Sequence, residues 1–545
     1  MSIATSIGYC TLFLCLFMHS FSYANVHATS SSSSSSDELC DLTPHSAFCR
    51  SQEPSNKPTN IHDFGRSTVQ KALTASIALR NSINRYLNSA ISSKTITFAL
   101  QDCQYLLNKN VDLLSSIAQT LKDKDILEMP QYKDLETQFS ATITGKQTCI
   151  EGLIFAASSS SSIVKDISPP LSNGSMLCSI SLAFFKHGWA PPGTKSRSLE
   201  ESFPLSSSSS FHRKLLQLNG VKIIKRVTVN PDGSGNYTTI SDAVAAAPTN
   251  IQYGQGYYLI RVAAGVYQEY VTVDTNKMYL MMVGDGINKT IITGNHSVDD
   301  GWTTFNSATF VTNGQGFIGV GLTIRNTAGA IKHQAVALRN DADFSVFYQC
   351  SFEGYQDTLY THAMRQFYRE CDVYGTIDYI FGNAAVVLQH CNIYSRLPLK
   401  GQFNTVTAQG KTDINQNTGT TIHDCNIKAS PDLASNNAYA VQTYLGRPWK
   451  TYATTIVMES YLDNLINPAG WSIWTGNQSL DTCYYAEYNN TGPGSSTANR
   501  VTWLGYHPIT DGANVLNVTV SALAFGDFWL PSTTVPYTSN LLYYP

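Results

Sequence analysis

The sequence predicts an all-β parallel coil, a β-solenoid, preceded by an all-α four-helix bundle. Three observations carry that reading. A cysteine-centred segment recurs in the C-terminal half at roughly 20-residue spacing, in the range of stacked-coil architectures. No long amphipathic helical pattern interrupts Gly301 to Ile427. The region from Cys40 to about Trp189 has the opposite texture, long helical periodicity with few breakers.

The repeat is visible in Val346-Phe-Tyr-Gln-Cys-Ser-Phe352, Phe367-Tyr-Arg-Glu-Cys-Asp-Val373, Val387-Leu-Gln-His-Cys-Asn-Ile393 and Thr421-Ile-His-Asp-Cys-Asn-Ile427. Each has strand-prone residues, a polar pair, a cysteine, a polar residue and an apolar one. Alternation about the cysteine reads as a short strand with one buried face. Phe317-Ile-Gly-Val-Gly-Leu-Thr-Ile324 is an earlier member without cysteine. A β-sandwich would place turn signals every 8–12 residues or so, and these are spaced more widely.

The elements follow in chain order. Ile7 to Phe17 is mostly apolar, with small residues near Ala24 and Ala28, although no Lys or Arg precedes it. That is signal-peptide length, too short to span a bilayer, and residues 1–24 are assigned to it. Ser30 to Ser36 is a flexible polyserine tract. The helical region runs over 37–190, with helical periodicity in Thr68–Leu87, Thr97–Thr120 and Tyr132–Glu151. Within it Cys40 and Cys49 can close a small loop, Cys103 and Cys149 can staple two helices, and Cys178 is left unpaired. Pro191-Pro-Gly193 and Ser206–Ser210 mark a linker over 191–220. Its dibasic Arg213-Lys-Leu-Leu216 reads as a site for a processing protease. The β-rich domain occupies 221–545, opened by the turn-forming Pro231-Asp-Gly-Ser-Gly235.

Composition bounds the partners. The 545-residue chain has room for two or more domains, and its net charge is −3 with no long basic run. Nucleic acid and anionic membrane surfaces are therefore not expected partners, and no later run reads as a membrane span. Outside the leader ten cysteines remain, and N-glycosylation sequons sit at Asn173, Asn236, Asn288, Asn295, Asn477, Asn489 and Asn517. Both agree with secretion.

The repeat also places chemistry. Gln334 comes roughly 22 residues before Gln356-Asp357, and Asp378 roughly 21 after, so these side chains fall on neighbouring coils about 4.8 Å apart. Two carboxylates and two amides so placed make an acid, a nucleophile and an oxyanion site. In the same register Cys371 stacks between Cys350 and Cys391. Either pair fits the disulfide window, and the sequence does not choose between them. His333, His362 and His390 lack ligand spacing, and neither a metal nor a cofactor is called for.

Five ordered motifs carry a resemblance. Gly265-Val-Tyr-Gln-Glu269, Gln334-Ala-Val-Ala-Leu-Arg339, Gly354-Tyr-Gln-Asp-Thr-Leu-Tyr360, Asp378-Tyr-Ile-Phe-Gly-Asn-Ala384 and Leu445-Gly-Arg-Pro-Trp-Lys450 resemble plant pectin methylesterases. The resemblance covers roughly Val221 to the C-terminus. The helical region resembles the pectin methylesterase inhibitor domain, including its two-pair-plus-one cysteine pattern. The fold implied is a right-handed parallel β-helix. The activity implied is hydrolysis of the C6 methyl ester of galacturonate units in pectin (homogalacturonan), giving methanol and acidic pectin at the cell wall. The family's disulfide maps onto Cys371–Cys391.

The resemblance also assigns roles. Asp378 is the nucleophile and Asp357 the general acid, then base. The amides of Gln334 and Gln356 serve the oxyanion, and Arg447 holds Asp378 ionised. Trp449 offers a flat face to a sugar ring, with Phe381 and Tyr360 as further ring contacts, and Thr304 maps onto a substrate-contact position. Tyr379 stands where Phe is usual, tolerable if its ring edge meets solvent. Trp302 stands where a small residue is commoner. The inhibitor-like region restrains the enzyme until processing, or serves folding or export; a separate inhibitor protein is a further partner. Two other functions compete. Lyases and glycoside hydrolases of pectin are also β-helical and also use carboxylates. An inactive esterase fused to a bundle would be a binding protein, which the intact Asp357, Asp378, Gln334, Gln356 and Arg447 oppose.

Overall fold

The computed structural model describes residues 36–52, 60–89, 93–157, 161–191 and 220–542. The leader, nearly all of the polyserine tract and the dibasic Arg213–Leu216 lie outside the described residues.

Among the described residues six helices form the N-terminal part: α1 (Ser36–Cys40), α2 (Ser46–Ser51), α3 (Ile61–Leu87), α4 (Lys94–Leu121), α5 (Met129–Ala157) and α6 (Ser162–Gly188). The four long ones make the bundle. Helix α3 starts seven residues before the periodic stretch because Asn60 caps it, its side chain accepting from the Asp63 amide. Ser93 caps α4 in the same way through the Ile96 amide. Helix α6 carries Pro169 and Pro170 inside it, which conceal it from a reading that treats proline as a breaker. Leu114, Ile117, Leu135, Phe139, Leu182 and Phe185 are buried between these helices. Disulfides join Cys40 to Cys49 and Cys103 to Cys149, and Cys178 is a buried free thiol.

The C-terminal part is a parallel β-helix of three sheets, with 11, 8 and 7 strands. The seven-stranded sheet consists of β1 (Val271–Val273), β2 (Phe310–Thr312), β3 (Leu338–Asn340), β4 (Leu359–Thr361), β5 (Ile380–Gly382), β6 (Asn404–Gln409) and β7 (Thr443–Gly446). Leu338 pairs with Leu359 and Leu359 with Ile380, so one coil here is 21 residues. Gln349, Glu370, His390 and Asp424 take positive φ, turning the chain sharply between sheets. The next residue in each case is Cys350, Cys371, Cys391 or Cys425, and all four side chains are buried. Inside, like residues stack coil on coil, as Phe347 does on Tyr368 with ring centroids 5.4 Å apart.

The cysteine ladder corrects one expectation. Cys371 and Cys391 are separate thiols, as are Cys350 and Cys425. Parallel stacking holds neighbouring Cβ atoms near the strand spacing of about 4.8 Å, wider than the roughly 3.8 Å of a disulfide. The sulfurs contact the backbone as well as one another. The Cys371 amide donates to Cys391 Sγ (3.4 Å) and the Cys391 amide to Cys425 Sγ (3.3 Å). Ser460 continues the row, its hydroxyl accepting from the Cys425 amide at 3.0 Å.

The bundle lies against the seven-stranded sheet through α4 and α5. Tyr105 donates to Asp341 (3.1 Å), and Lys109 Nζ donates to the Asp341 carbonyl (2.8 Å). Thr148 and His362 share a hydrogen bond of 3.0 Å, and Asn383 donates to Thr144 (2.9 Å). Asp134, just inside α5, pairs with the buried Arg365 at 2.7 Å.

Candidate active site

Asp357 and Asp378 stand at equivalent places on consecutive coils, immediately before β4 and β5. The Asp357 amide donates to the Ile377 carbonyl (3.0 Å), which brings the two residues side by side. Both have positive φ, 61° and 52°. That conformation is uncommon for residues with a side chain, and Asp tolerates it better than most.

Their surroundings differ. Arg447, which follows β7, grips Asp378 bidentately: Nε to Oδ1 at 2.8 Å and Nη2 to Oδ2 at 2.7 Å. Thr405 at the start of β6 donates its hydroxyl to Asp378 Oδ1 (2.6 Å) and accepts from the Asp378 amide (2.8 Å). Asp378 is therefore buried yet paired. Asp357, 7% exposed, has no such cation in hydrogen-bond contact. Burial pushes its carboxyl well above the usual carboxylate range, the Asp378 charge adds to the rise, and Arg447 opposes it. A carboxyl pushed toward its protonated form thus stands beside one gripped by an arginine and a threonine.

Gln334 and Gln356 are half-buried, before β3 and just before Asp357. The Ala335 amide donates to the Gln356 carbonyl (3.2 Å), which stacks the two glutamines on adjacent coils. Among the described residues neither side-chain amide has a partner, so both remain available as donors.

Aromatic rings flank the carboxylates. Tyr360 in β4 stacks on Phe381 in β5 with centroids 4.1 Å apart, and Trp449 lies 6.1 Å beyond Phe381. A Cβ on Gly410 would sit 2.9 Å from the Trp449 ring, so only glycine allows that approach. Thr304 is half-buried on the loop before β2. Its neighbour Thr303 is the one in contact with the bundle, donating to Asp102 of α4.

Three residues were not singled out from the sequence. Thr405 lies beyond a longer coil, where Ile380 pairs with Thr407 and the 21-residue step fails. Trp474 and Phe403 flank the Arg447 guanidinium at 4.3 and 5.6 Å. Trp474 comes from a stretch with no repeat signal. The expectation for Tyr379 is also corrected. Its ring does not meet solvent; it is fully buried, with its hydroxyl bonded to Ser395 Oγ at 3.0 Å. A buried Ser partner, not exposure, accommodates the extra oxygen.

A deep carboxylate pair, a bidentate arginine and a row of aromatic rings on a β-helix define a carbohydrate-directed hydrolase. Comparison with known proteins narrows this. The Pectinesterase family profile matches residues 226–527, and that of the plant invertase/pectin methylesterase inhibitor matches 34–184. The probable pectinesterase/pectinesterase inhibitor 20 of Arabidopsis thaliana is 48% identical over 548 residues, 96% of each chain. Pectinesterase 2 of Citrus sinensis is 50% identical over 409 residues, 75% of this chain and 76% of that one. Among solved structures, pectin methylesterase from carrot superposes with a TM-score of 0.56 at 52% identity, covering 58% of this chain and 98% of that one. The chain belongs to the pectinesterase family, carboxylic ester hydrolases, and carries an inhibitor-like N-terminal region on a right-handed β-helix. Among the described residues no helix is long and apolar enough to cross a membrane.

Proposed function

We propose that Asp378 attacks the methyl-ester carbonyl of a galacturonate unit in pectin, with Asp357 as the proton donor. The observation that carries this is the contrast in the surroundings of the two carboxyls. Asp378 is locked by Arg447 and Thr405, and Asp357 is driven toward its protonated form. Attack by Asp378 raises a tetrahedral oxyanion, which the free amides of Gln334 and Gln356 receive. Collapse expels methanol, protonated by Asp357, and leaves an anhydride between Asp378 and the sugar acid. Asp357, now ionised, takes a proton from water. The resulting hydroxide opens the anhydride, frees Asp378 and releases the acid. Arg447 keeps Asp378 aligned for attack. Tyr360, Phe381 and Trp449 seat sugar rings, and Thr304 contacts the chain beside them.

The same surface supports a restraining role for the helical region. The ring row that a polymer would lie on is packed against α4 and α5, with Tyr360, Phe381 and Trp449 in one apolar cluster with helix residues such as Leu153. Lys450, next to Trp449, pairs with Glu151 of α5. Export to the wall, cleavage at Arg213–Leu216 by a processing protease and a separate inhibitor partner complete the reading.

The test is methanol release from esterified pectin, with reducing ends and unsaturated products followed in the same sample. Asp378→Asn preserves shape and removes the nucleophile, so methanol release falls by at least about a hundredfold while the melting curve remains cooperative. Wild-type rates in that variant, or new reducing ends from the parent chain, would overturn the assignment.

A further inference from the structure

Helix α4 presents a ring and a carboxyl group, Phe98 and Asp102, one turn apart on the same helical face. Each meets a built receptor on the β-helix. Phe98 stacks on Trp302 with centroids 4.4 Å apart and planes 11° from parallel. The other face of Trp302 rests on His296 at 3.7 Å, and His296 rests on Tyr270 at 3.7 Å. Trp302 is thus fixed by a pile of rings behind it, with one face turned to α4. Asp102 accepts a hydrogen bond from Thr303 and lies in the field of Arg339.

Arg339 is the unexplained group here. It is 5% exposed, and among the described residues its Nε and Nη1 have no hydrogen-bond partner. Its guanidinium lies 3.5 Å over the Phe305 ring and 5.6 Å from the Tyr105 ring of α4. A buried guanidinium with unmet donors is costly, and a bidentate carboxylate is the ligand that suits it. Arg339 pairs in register with Tyr360, which pairs with Phe381, so it continues the same outward row as the sugar-seating rings.

We propose that Trp302, Thr303 and Arg339 form a subsite for an already de-esterified galacturonate unit of the substrate chain, which Phe98 and Asp102 of α4 occupy by mimicry in the full chain. The sugar's apolar face replaces Phe98 on Trp302, and its free carboxylate replaces the Asp102 carboxyl on Thr303 and meets the Arg339 donors that Asp102 leaves unpaired. A methyl ester offers Arg339 no charge. The inference rests on the reading that the helical region covers the substrate cleft, and it concerns binding, with no bond made or broken.

The experiment uses the full chain with an inserted protease site in the Ser206–Ser210 tract, nicked but still associated. An Asp378→Asn background keeps esterified ligands intact, and methanol is followed in the same samples. Free-acid oligogalacturonide, its methyl-esterified counterpart and polyglutamate are compared for release of the helical region by size exclusion. The free acid is expected to act at a concentration about tenfold or more below the ester, and polyglutamate, which lacks the ring, not to act. Arg339→Gln removes the preference for the free acid; Thr303→Val, nearly isosteric, reduces it if the arginine variant does not fold. Trp302→Ser raises the concentration needed of both oligosaccharides by about tenfold. Equal potency of acid and ester, release by polyglutamate, or a preference that survives both Arg339→Gln and Thr303→Val would overturn the subsite. Methanol produced in the Asp378→Asn background would instead count against the nucleophile and leave the subsite standing.

Discussion

At Asp357 the folded protein keeps a proton that the free side chain would lose. The carboxyl is raised from an ordinary value of 3.8 by burial first and by the Asp378 charge second. At pH below that ordinary value, folded and unfolded chains are both protonated there. As pH rises toward the raised value, the unfolded chain ionises and the folded one does not, so this residue makes stability fall. Asp357→Asn removes the penalty. Thermal melts should therefore show the variant gaining on the parent as pH goes from about 3.5 to about 7, while methanol release drops by about a hundredfold or more. A difference in melting temperature that does not change with pH would refute the account. The positive φ of both aspartates makes Asn the better probe than Ala, because Asn also tolerates that conformation.

Among the elements, the bundle and the β-helix are held by different means. Helices α4 and α5 are tied by Cys103–Cys149, which encloses a 46-residue separation. A loop of that length corresponds to about 4 kcal/mol from restricted unfolded-chain freedom. The described coils carry thiols in a ladder, satisfied by backbone amides. Reduction should then lower the melting transition of the helical region and leave that of the β-helix in place, as read by calorimetry with and without a strong reductant. A β-helix transition that falls with reductant would mean that Cys371 and Cys391 are bonded after all.

For the molecule as a whole, docking of the bundle moves protons. Burial lifts Asp102 from 3.8 to about 7, against the Thr303 hydrogen bond and the Arg339 charge. A carboxyl raised on docking takes up a proton between those values, so its contribution weakens docking as pH rises from about 4 to about 7, by up to about tenfold per pH unit. Asp134 is raised in the same sense. Burial lowers His362, which opposes docking on the acid side. In a nicked chain, Asp102→Asn should flatten the pH dependence of helical-region retention over that window. An unchanged slope would remove Asp102 from the account.

The amino-acid sequence by itself determined the coil. Its period and its cysteine row are local patterns, repeated about every 20 residues over Cys350, Cys371 and Cys391 before a longer step to Cys425, and a parallel stack is how they bury one face each. That period alone brought Asp357, Asp378, Gln334 and Gln356 together. The places of Tyr360, Phe381, Trp449 and Arg447 beside the carboxyls were legible only through family motifs, because Arg447 arrives from a coil beyond the regular step. Tertiary structure decided the remainder. Thr405 and Trp474 reach the site from coils of irregular length, where counting residues no longer gives register. The free state of the stacked thiols and the Ser395 partner of the Tyr379 hydroxyl are read only there. The placement of Phe98 and Asp102 on Trp302, Thr303 and Arg339 joins segments some 200 residues apart. No periodicity links such segments; only the packing of one domain's surface on the other's brings them into contact.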